Sequence, residues 1–305
     1  MTLPDYKRGF KMNINILQKS LKLRKLSKLP EFICQKFKSY VRYQRFYWLF
    51  QLQNIRSLAE YRADFFMMIC FTAFSQFCNL AVTGVIYSNI PYIAGWDLWE
   101  ILLLYSFLLF SEGCINFFFQ GSWKINEIIH QADLDRFLLR PLPVGLQLLT
   151  ARIDFDGLSK MTIASLIFLT SASRCYIAWT PKKILLFLLL VIGICIIRTC
   201  MIWITSCLSF WMDGRPNSLN YFILTLGELG KYPLTIFPTP LRILFAYLIP
   251  YAFISYYPAI WLLDKEKGIF YICIPAAVIL ISILMLTLSA AVLKFGLRRY
   301  ESNNI

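Results

Sequence analysis

Six stretches of mostly apolar residues, each about twenty residues long or longer, occupy the chain between Phe65 and Leu293. A bilayer core of roughly 30 Å is crossed by about 20 helical residues, whereas a water-soluble core does not need so many apolar runs of that length. The composition agrees, because 58% of the residues are hydrophobic and only 16% are charged. The chain is therefore predicted to be an all-α polytopic membrane protein.

The pattern predicts six transmembrane helices within a transmembrane domain at 65–295. The predicted spans are 65–87, 99–121, 161–179, 183–210, 218–262 and 269–293. Two glycines and four prolines interrupt the fifth region, and they are Gly227, Gly230, Pro233, Pro238, Pro240 and Pro250. One straight helix cannot contain so many prolines, and irregular backbone is not tolerated against lipid. We therefore expect a fifth span near 218–230 and a re-entrant helical hairpin on the outer side before the sixth span.

The basic residues indicate the orientation. Fourteen of the 31 Lys and Arg residues precede Phe65, and the loop at 88–98 has none. With the amino terminus inside, the inner segments carry 23 of them and the outer segments seven, so the positive-inside rule predicts that both termini are cytoplasmic. The net charge of +14 is thus explained by a bilayer and predicts no nucleic-acid partner.

The two ends of the chain differ from the spans. Residues 1–40 form a basic cytoplasmic extension, which is either a segment lying on the anionic inner leaflet or a poorly ordered tail. At 41–64 the apolar residues recur at helical spacing, which predicts an amphipathic interfacial helix. Residues 296–305 are predicted to be a cytoplasmic tail.

Residue types that perform catalysis or bind metals are scarce. The nine cysteines have no C-x-x-C spacing and mostly fall within spans, so we interpret them as packing residues. His130 is the only histidine, and Asp154 and Asp156 are interpreted as a solvated loop pair. The chain has neither a phosphate-binding G-x-x-x-x-G-K-[ST] motif nor a G-x-S-x-G motif. We therefore predict no catalytic, cofactor or metal site in this chain.

Two ionisable residues lie within apolar spans, Glu112 in the second and Arg198 in the fourth. Their distances from the start of each span place them at similar depth. Charges at that depth are costly unless they are paired or hydrated. The residues either form a structural ion pair between two helices or line a substrate path, and the sequence leaves both open.

The inner loop at 122–160 contains a predicted amphipathic helix, in which Ile128, Ile129, Leu134, Leu138 and Leu139 share a face and Arg140-Pro141 ends the helix. A helix of this kind fits a groove on a partner protein. The alternative is a helix that lies on the membrane surface, and periodicity does not distinguish the two.

Four groups of short motifs occur in order along the chain. They are Glu60-Tyr61-Arg62-Ala63-Asp64-Phe65; Leu134-Asp135-Arg136-Phe137-Leu138-Leu139-Arg140-Pro141; the segment from Gly227 to Pro238 with Ile249-Pro250-Tyr251-Ala252-Phe253 and Tyr256-Tyr257-Pro258-Ala259; and Gly296-Leu297-Arg298-Arg299-Tyr300-Glu301. In this order they resemble the permease subunits of ABC-2 type exporters, in the six-span branch encoded as paired permeases beside one ATPase.

The resemblance implies a bacterial inner-membrane exporter in which a separate ABC ATP-binding subunit holds ATP and Mg²⁺. A second permease, either a sister chain or a second copy, would complete the path. The residues implied to couple to the ATPase are Ile128, Ile129, Leu134, Asp135, Leu138, Leu139 and Arg140. The residues implied to form an outer gate are Glu228, Lys231, Tyr232, Pro233, Phe237, Pro238, Pro250, Tyr257 and Pro258. The substrate class is expected to be an amphiphilic drug, peptide or lipid.

Two other classes of protein compete with this interpretation. A secondary transporter needs ion-coupling carboxylates at mid-membrane, for which one Glu and one Arg are thin support, and no inverted repeat is visible. A membrane-embedded lipid-modifying enzyme is less favoured, because the catalytic residue types are missing.

Overall fold

The structure, a computed structural model, describes residues 62–90, 92–131, 133–212, 218–265, 268 and 273–300. The basic extension and nearly all of the predicted interfacial helix lie outside these residues. Within the described part the chain is helical, and its one β-bridge joins Ile93 to Trp96.

Eleven α-helices are described. They are α1 (Arg62–Asn89), α2 (Leu98–Phe119), α3 (Gly121–His130), α4 (Leu134–Leu138), α5 (Val144–Leu149), α6 (Asp156–Arg174), α7 (Pro181–Cys207), α8 (Leu219–Glu228), α9 (Thr239–Ile243), α10 (Tyr256–Leu263) and α11 (Ile274–Arg299). Short 3₁₀ turns occur at Leu208–Trp211, Leu229–Lys231, Leu234–Ile236 and Tyr251–Phe253, and a π turn occurs at Leu244–Leu248.

Four helices are long and apolar enough to cross a membrane: α1, α2, α7 with its following 3₁₀ turn, and α11. They coincide with four of the predicted spans. The sequence predicts a span over 161–179, but α6 begins at Asp156 and ends at Arg174. This helix carries three charged residues, and it does not reach the hydropathy of the other four.

The predicted interruption of 218–262 is confirmed, because this region consists of short helices and turns. The segments Thr239–Leu248 and Tyr251–Leu263 meet at an angle of 72°, and we call them together the bent segment. Pro250 lies at the bend, where its ring fixes the backbone and removes an N–H donor. If the bent segment counts as one crossing, the described residues contain five candidate spans.

Helix α2 lies at the centre of the bundle. In its most apolar window 67% of the residues are buried, compared with 11% for α1 and 17% for α11. Helix α2 is apolar on nearly all sides, as expected of a helix surrounded by others. Helix α2 packs most extensively on α6. The main apolar core to which it contributes also contains Ile194, Ile197, Tyr251, Ile260 and Val278 from α7, the bent segment and α11. Helices α1 and α11 instead expose large apolar side chains, which suits contact with lipid or another membrane protein.

Candidate functional site

Glu112 on α2 and Arg198 on α7 meet inside the bundle. The Arg198 Nη2 atom lies 3.6 Å from the Glu112 Oε2 atom. Arg198 is 1% exposed, and most of the Glu112 side chain is covered as well. The sequence places the two residues at similar depth, and the structure brings their charges together.

Two further charges belong to this site, and sequence reasoning missed both. The Lys160 Nζ atom lies 2.8 Å from Glu112 Oε1 and 2.8 Å from Asp156 Oδ2. Asp156 also accepts hydrogen bonds from the Thr72 hydroxyl and, at 3.3 Å, from the Asn116 amide. The interpretation of Asp156 as part of a solvated loop pair is therefore wrong. The i, i+4 spacing of Asp156 and Lys160 just before an apolar run was the available signal.

Close contact between α2 and α6 explains why these charges meet. A Cβ atom on Gly113 would lie 2.6 Å from the Gly157 carbonyl oxygen, and a Cβ on Gly157 would lie 2.3 Å from the Phe117 nitrogen. Only glycine at both positions allows the two backbones to approach so closely. Glu112 precedes one of these glycines, and Lys160 follows the other by one turn.

Arg198 links the charges to the bent segment. Its guanidinium carbon lies 5.0 Å from the centre of the Tyr251 ring, which is a cation–π geometry. The Tyr251 hydroxyl donates a 2.7 Å hydrogen bond to the Ile223 carbonyl of α8. Among the described residues, the Nε and Nη1 atoms of Arg198 have no hydrogen-bond acceptor. Glu112 and the Tyr251 ring therefore provide the main compensation for this buried charge.

We call Asp156, Lys160, Glu112 and Arg198 the charge network. It contains two carboxylates and two cations, and through Thr72 and Tyr251 it connects α1, α2, α6, α7 and the bent segment. Paired charges of this kind are stable at membrane depth, whereas an unpaired one is not. The arrangement can hold these five elements together in one packing.

The inner loop is built around a second apolar cluster, which we call the loop cluster. Its buried members are Ile125, Leu134, Leu148, Trp203, Cys207 and Phe210. They join α3, α4 and α5 to the carboxyl end of α7, and Leu293 and Leu297 of α11 pack against them. The loop is therefore part of the helix bundle and not a free segment.

The structure divides the predicted coupling residues into two groups. Leu134 is fully buried in the loop cluster, so it is a core residue and not part of a docking surface. Ile128 and Ile129 are partly buried against the same cluster. Leu138 and Leu139 are exposed, Leu139 by 86%. With the exposed Arg140 they form a small ridge that is apolar at the two leucines and basic at Arg140.

The predicted single helix in this loop is two helices. Helix α3 ends at His130, and α4 starts at Leu134 and ends at Leu138 before Arg140. Asp135 on α4 lies beside Tyr300, and burial together with this carboxylate raises the pKa of Tyr300. The contact connects α4 to the motif at the end of α11.

The residues predicted to form an outer gate lie in the interrupted region. The Glu228 Oε2 and Lys231 Nζ atoms are 3.4 Å apart, and the Lys231 ammonium lies over the Tyr232 ring. Pro233, Pro250 and Pro258 are buried, whereas Pro238 is exposed. Phe237 packs edge-on against Phe245, and Tyr257 packs against Phe253. The set is one connected region and not a single ring of side chains.

Two contacts tie the bent segment to its neighbours. The Ser255 hydroxyl donates a 2.6 Å hydrogen bond to the Gly230 carbonyl. Lys265 lies 3.8 Å from the centre of the Trp96 ring and pairs with Glu100 at the start of α2. The segment is therefore fixed both near the charge network and at the end where α2 begins.

A family model described as ABC-2 family transporter protein matches residues 73–304. No curated protein and no solved structure matches the chain. The family match begins in α1 and extends beyond α11, so it includes the charge network apart from its Thr72 contact, the inner loop and the interrupted region. The chain belongs to the ABC-2 family of transporter proteins and is a multi-pass membrane permease of an ABC transporter, a transport component and not itself an enzyme.

Proposed function

We propose that this permease forms half of the substrate path of a bacterial ABC exporter and is driven by a separate ATP-binding subunit that holds ATP and Mg²⁺. A second permease, either a sister chain or a second copy, completes the path. The exposed apolar faces of α1 and α11 are consistent with such a neighbour and with lipid. The observation that carries the proposal is the ridge at Leu138, Leu139 and Arg140, which is exposed yet held on the buried loop cluster that joins four helices.

The ridge can transmit force because its support is rigid. A Cβ atom on Gly121 would lie 1.9 Å from the Leu148 carbonyl oxygen, so α3 and α5 touch through their backbones. Helix α3 follows α2 almost without interruption, with Gln120 between them. Movement of a docked ATPase would therefore displace α2, which carries Glu112 of the charge network.

Leu139→Asp is expected to weaken copurification of the ATP-binding subunit by at least about tenfold. A leucine that is exposed in the free permease and becomes buried on docking contributes roughly 1.5–3 kcal/mol to the binding free energy. The measurement is the amount of ATPase retained on the tagged permease after purification from cells that express both subunits. Tyr176→Asp is the matched control, since Tyr176 is an exposed aromatic residue just after α6 and away from the inner loop. Unchanged retention in Leu139→Asp would contradict docking at the ridge.

Leu134 distinguishes docking from folding in the same assay. Leu134→Ala is expected to lower the stability of the permease by about 2–5 kcal/mol, because Leu134 is fully buried. The expected result is a lower midpoint of thermal unfolding in detergent, whereas Leu139→Asp leaves this midpoint unchanged.

We further propose six membrane crossings with both termini in the cytoplasm, in which α6 and the interrupted region supply the two crossings beyond the four long helices. The bent segment is then a re-entrant hairpin that enters from the outer side. Tyr251, at the bend of the hairpin, contacts Arg198. The rise along α7 places Arg198 about 25 Å from Pro181, where α7 begins, so the bend lies well inside the bundle. Lys265, at the end of the hairpin, contacts Trp96 in the short segment between α1 and α2. These contacts support a hairpin that closes the outer end of the path.

A disulfide across the proposed gate tests this role. Gly230 and Ser255 suit it, because a Cβ on Gly230 would lie 3.7 Å from the Ser255 Oγ atom. The double variant Gly230→Cys with Ser255→Cys is expected to lose nearly all transport on oxidation and to recover it on reduction. Transport is followed through substrate-stimulated ATP hydrolysis by the whole complex. Each single variant serves as the control. Full activity of the oxidised, cross-linked double variant would rule out hairpin movement.

A further inference from the structure

A polar cavity of about 240 Å³ lies between α1, α2, α6 and the end of α8. The wall of the cavity is mostly polar, although the helices that surround it are largely apolar. The lining residues on which the inference depends are Asn79, Glu112, Lys160 and Glu228. Charged residues at this depth indicate a functional site when they surround open space.

The charges of the wall favour a cation. Lys160 lies 2.8 Å from both Glu112 and Asp156, and Arg198 balances the second charge, so the network is neutral as a whole. Glu228 adds a third carboxylate to the region. Its partner Lys231 is 3.4 Å away and outside the wall, and the Glu228 side chain is 54% exposed, so that pair is weak.

An entering ammonium group would therefore meet a carboxylate that it can neutralise. Asn79 lines the same space, and its amide oxygen can accept a hydrogen bond from an ammonium group. An entering anion would meet two carboxylates and a lysine that two carboxylates already neutralise. Electrostatic complementarity thus selects against anions.

The size of the cavity limits the ligand. A volume of about 240 Å³ is equivalent to roughly eight water molecules, below the range of about 300–1,000 Å³ for drug-sized ligands. The cavity can take a polar head group but not a whole drug-sized molecule. Phe71 and Val82 lie one helical turn before Ser75 and one turn after Asn79 on α1, beside the lining face. Both are exposed and offer an apolar surface for a tail.

We propose that this cavity binds the ammonium head group of a cationic amphiphile, with Glu228 as the counter-charge and the apolar tail on the exposed face of α1. The proposal rests on the proposed export function, because it assigns a substrate class to that path. Binding itself needs neither ATP nor the ATP-binding subunit.

The test uses the full-length permease in phosphatidylcholine nanodiscs and three probes that share one diazirine-bearing alkyl chain: a primary amine, a sulfate and an alcohol. After illumination, mass spectrometry identifies the labelled peptides. The amine is expected to label peptides containing residues 71–79 and 105–112 at least about tenfold more than the sulfate, as expected for a charge-assisted contact. Unlabelled octylamine should suppress the signal. Equal labelling by the amine and the sulfate would overturn the proposal.

Two substitutions with opposite expected effects separate recognition from folding. Glu228→Gln is expected to reduce amine labelling about tenfold, whereas Lys231→Met is expected to increase it because the competing ammonium is removed. A general loss of structure would lower labelling in both. Asp264→Asn is the matched charge control, since Asp264 is exposed and pairs with Lys183 away from the cavity. Unchanged labelling in Glu228→Gln, or reduced labelling in Lys231→Met, would contradict the assignment.

The ammonium group could belong to a free amphiphile or to a lipid. Repeating the experiment in nanodiscs with half phosphatidylethanolamine distinguishes these sources. Loss of labelling there identifies the lipid amine as an occupant, and retained labelling identifies a free amphiphile. Failure of the ATPase to copurify would refute the proposed function without affecting these labelling results.

Discussion

Replacing Glu112 with glutamine is expected to lower the free energy of unfolding by about 3–5 kcal/mol, the usual cost of removing one partner from a buried ion pair. Glu112 compensates both Lys160 and Arg198. Lys160 keeps Asp156 in the variant, but Arg198 keeps only the Tyr251 ring among its described charge partners. The measurement is thermal unfolding of the purified permease in detergent, followed by size-exclusion chromatography of the fraction that stays soluble.

Two further variants at Glu112 and Arg198 show whether Glu112 compensates both cations. Arg198→Met should cost less than Glu112→Gln, because Glu112 remains paired with Lys160. The double variant Glu112→Leu with Arg198→Leu should be more stable than Glu112→Gln alone, since neither charge is left without the other. Glu127→Gln, which affects an exposed ion pair, should leave unfolding unchanged. If Arg198→Met proved as destabilising as Glu112→Gln, Glu112 would not hold both cations.

Gly157→Val is expected to cost about 3 kcal/mol or more, at the upper end of what overpacking a core produces. The new side chain would collide with backbone atoms, since even a Cβ would lie 2.3 Å from the Phe117 nitrogen and 2.5 Å from the Gly113 carbonyl oxygen. Backbone cannot move aside as a flexible side chain can, so α6 must separate from α2. That separation also pulls Lys160 away from Glu112, and both stability and transport should be lost.

Gly84 supplies the matched control for this substitution. It lies within α1, and no atom would come within 4 Å of a Cβ at this position. Gly84→Ala should therefore be neutral or stabilising by up to about 1 kcal/mol, because alanine favours the helix. Thermal unfolding and transport of both variants are compared with those of the unmodified chain. Equal behaviour of Gly157→Val and Gly84→Ala would show that α2 and α6 do not depend on backbone contact.

Several features of the fold are predictable from the pattern of residues alone. The length of their apolar runs identifies α1, α2, α7 and α11. A membrane-spanning helix forms all of its backbone hydrogen bonds within itself and needs only about 20 apolar residues. The prolines between Gly227 and Pro250 predict where regular helix cannot continue. The similar depth of Glu112 and Arg198 follows from the rise per residue, without reference to a neighbour.

Other features depend on contacts between segments far apart in the sequence. The first turn of α6 is polar and resembles a loop, but it is helical and covered because Gly157 lets it touch α2. Leu134 and Leu139 belong to one apolar pattern, yet Leu134 is buried within the loop cluster and Leu139 is exposed. Periodicity shows which residues form an apolar face of a helix. It does not show which of these residues another segment of the chain covers.

Length, hydropathy and local motifs are properties of single segments, so the residue pattern is enough to predict a helical membrane protein that resembles permeases. Which charges share the interior depends instead on packing, since Lys160 and Asp156 join Glu112 and Arg198 through the contact of α6 with α2. Packing likewise decides which part of the inner loop can reach a partner. Pairing and burial are relations between segments, and a low-dielectric interior makes those relations decide which buried charges can be tolerated.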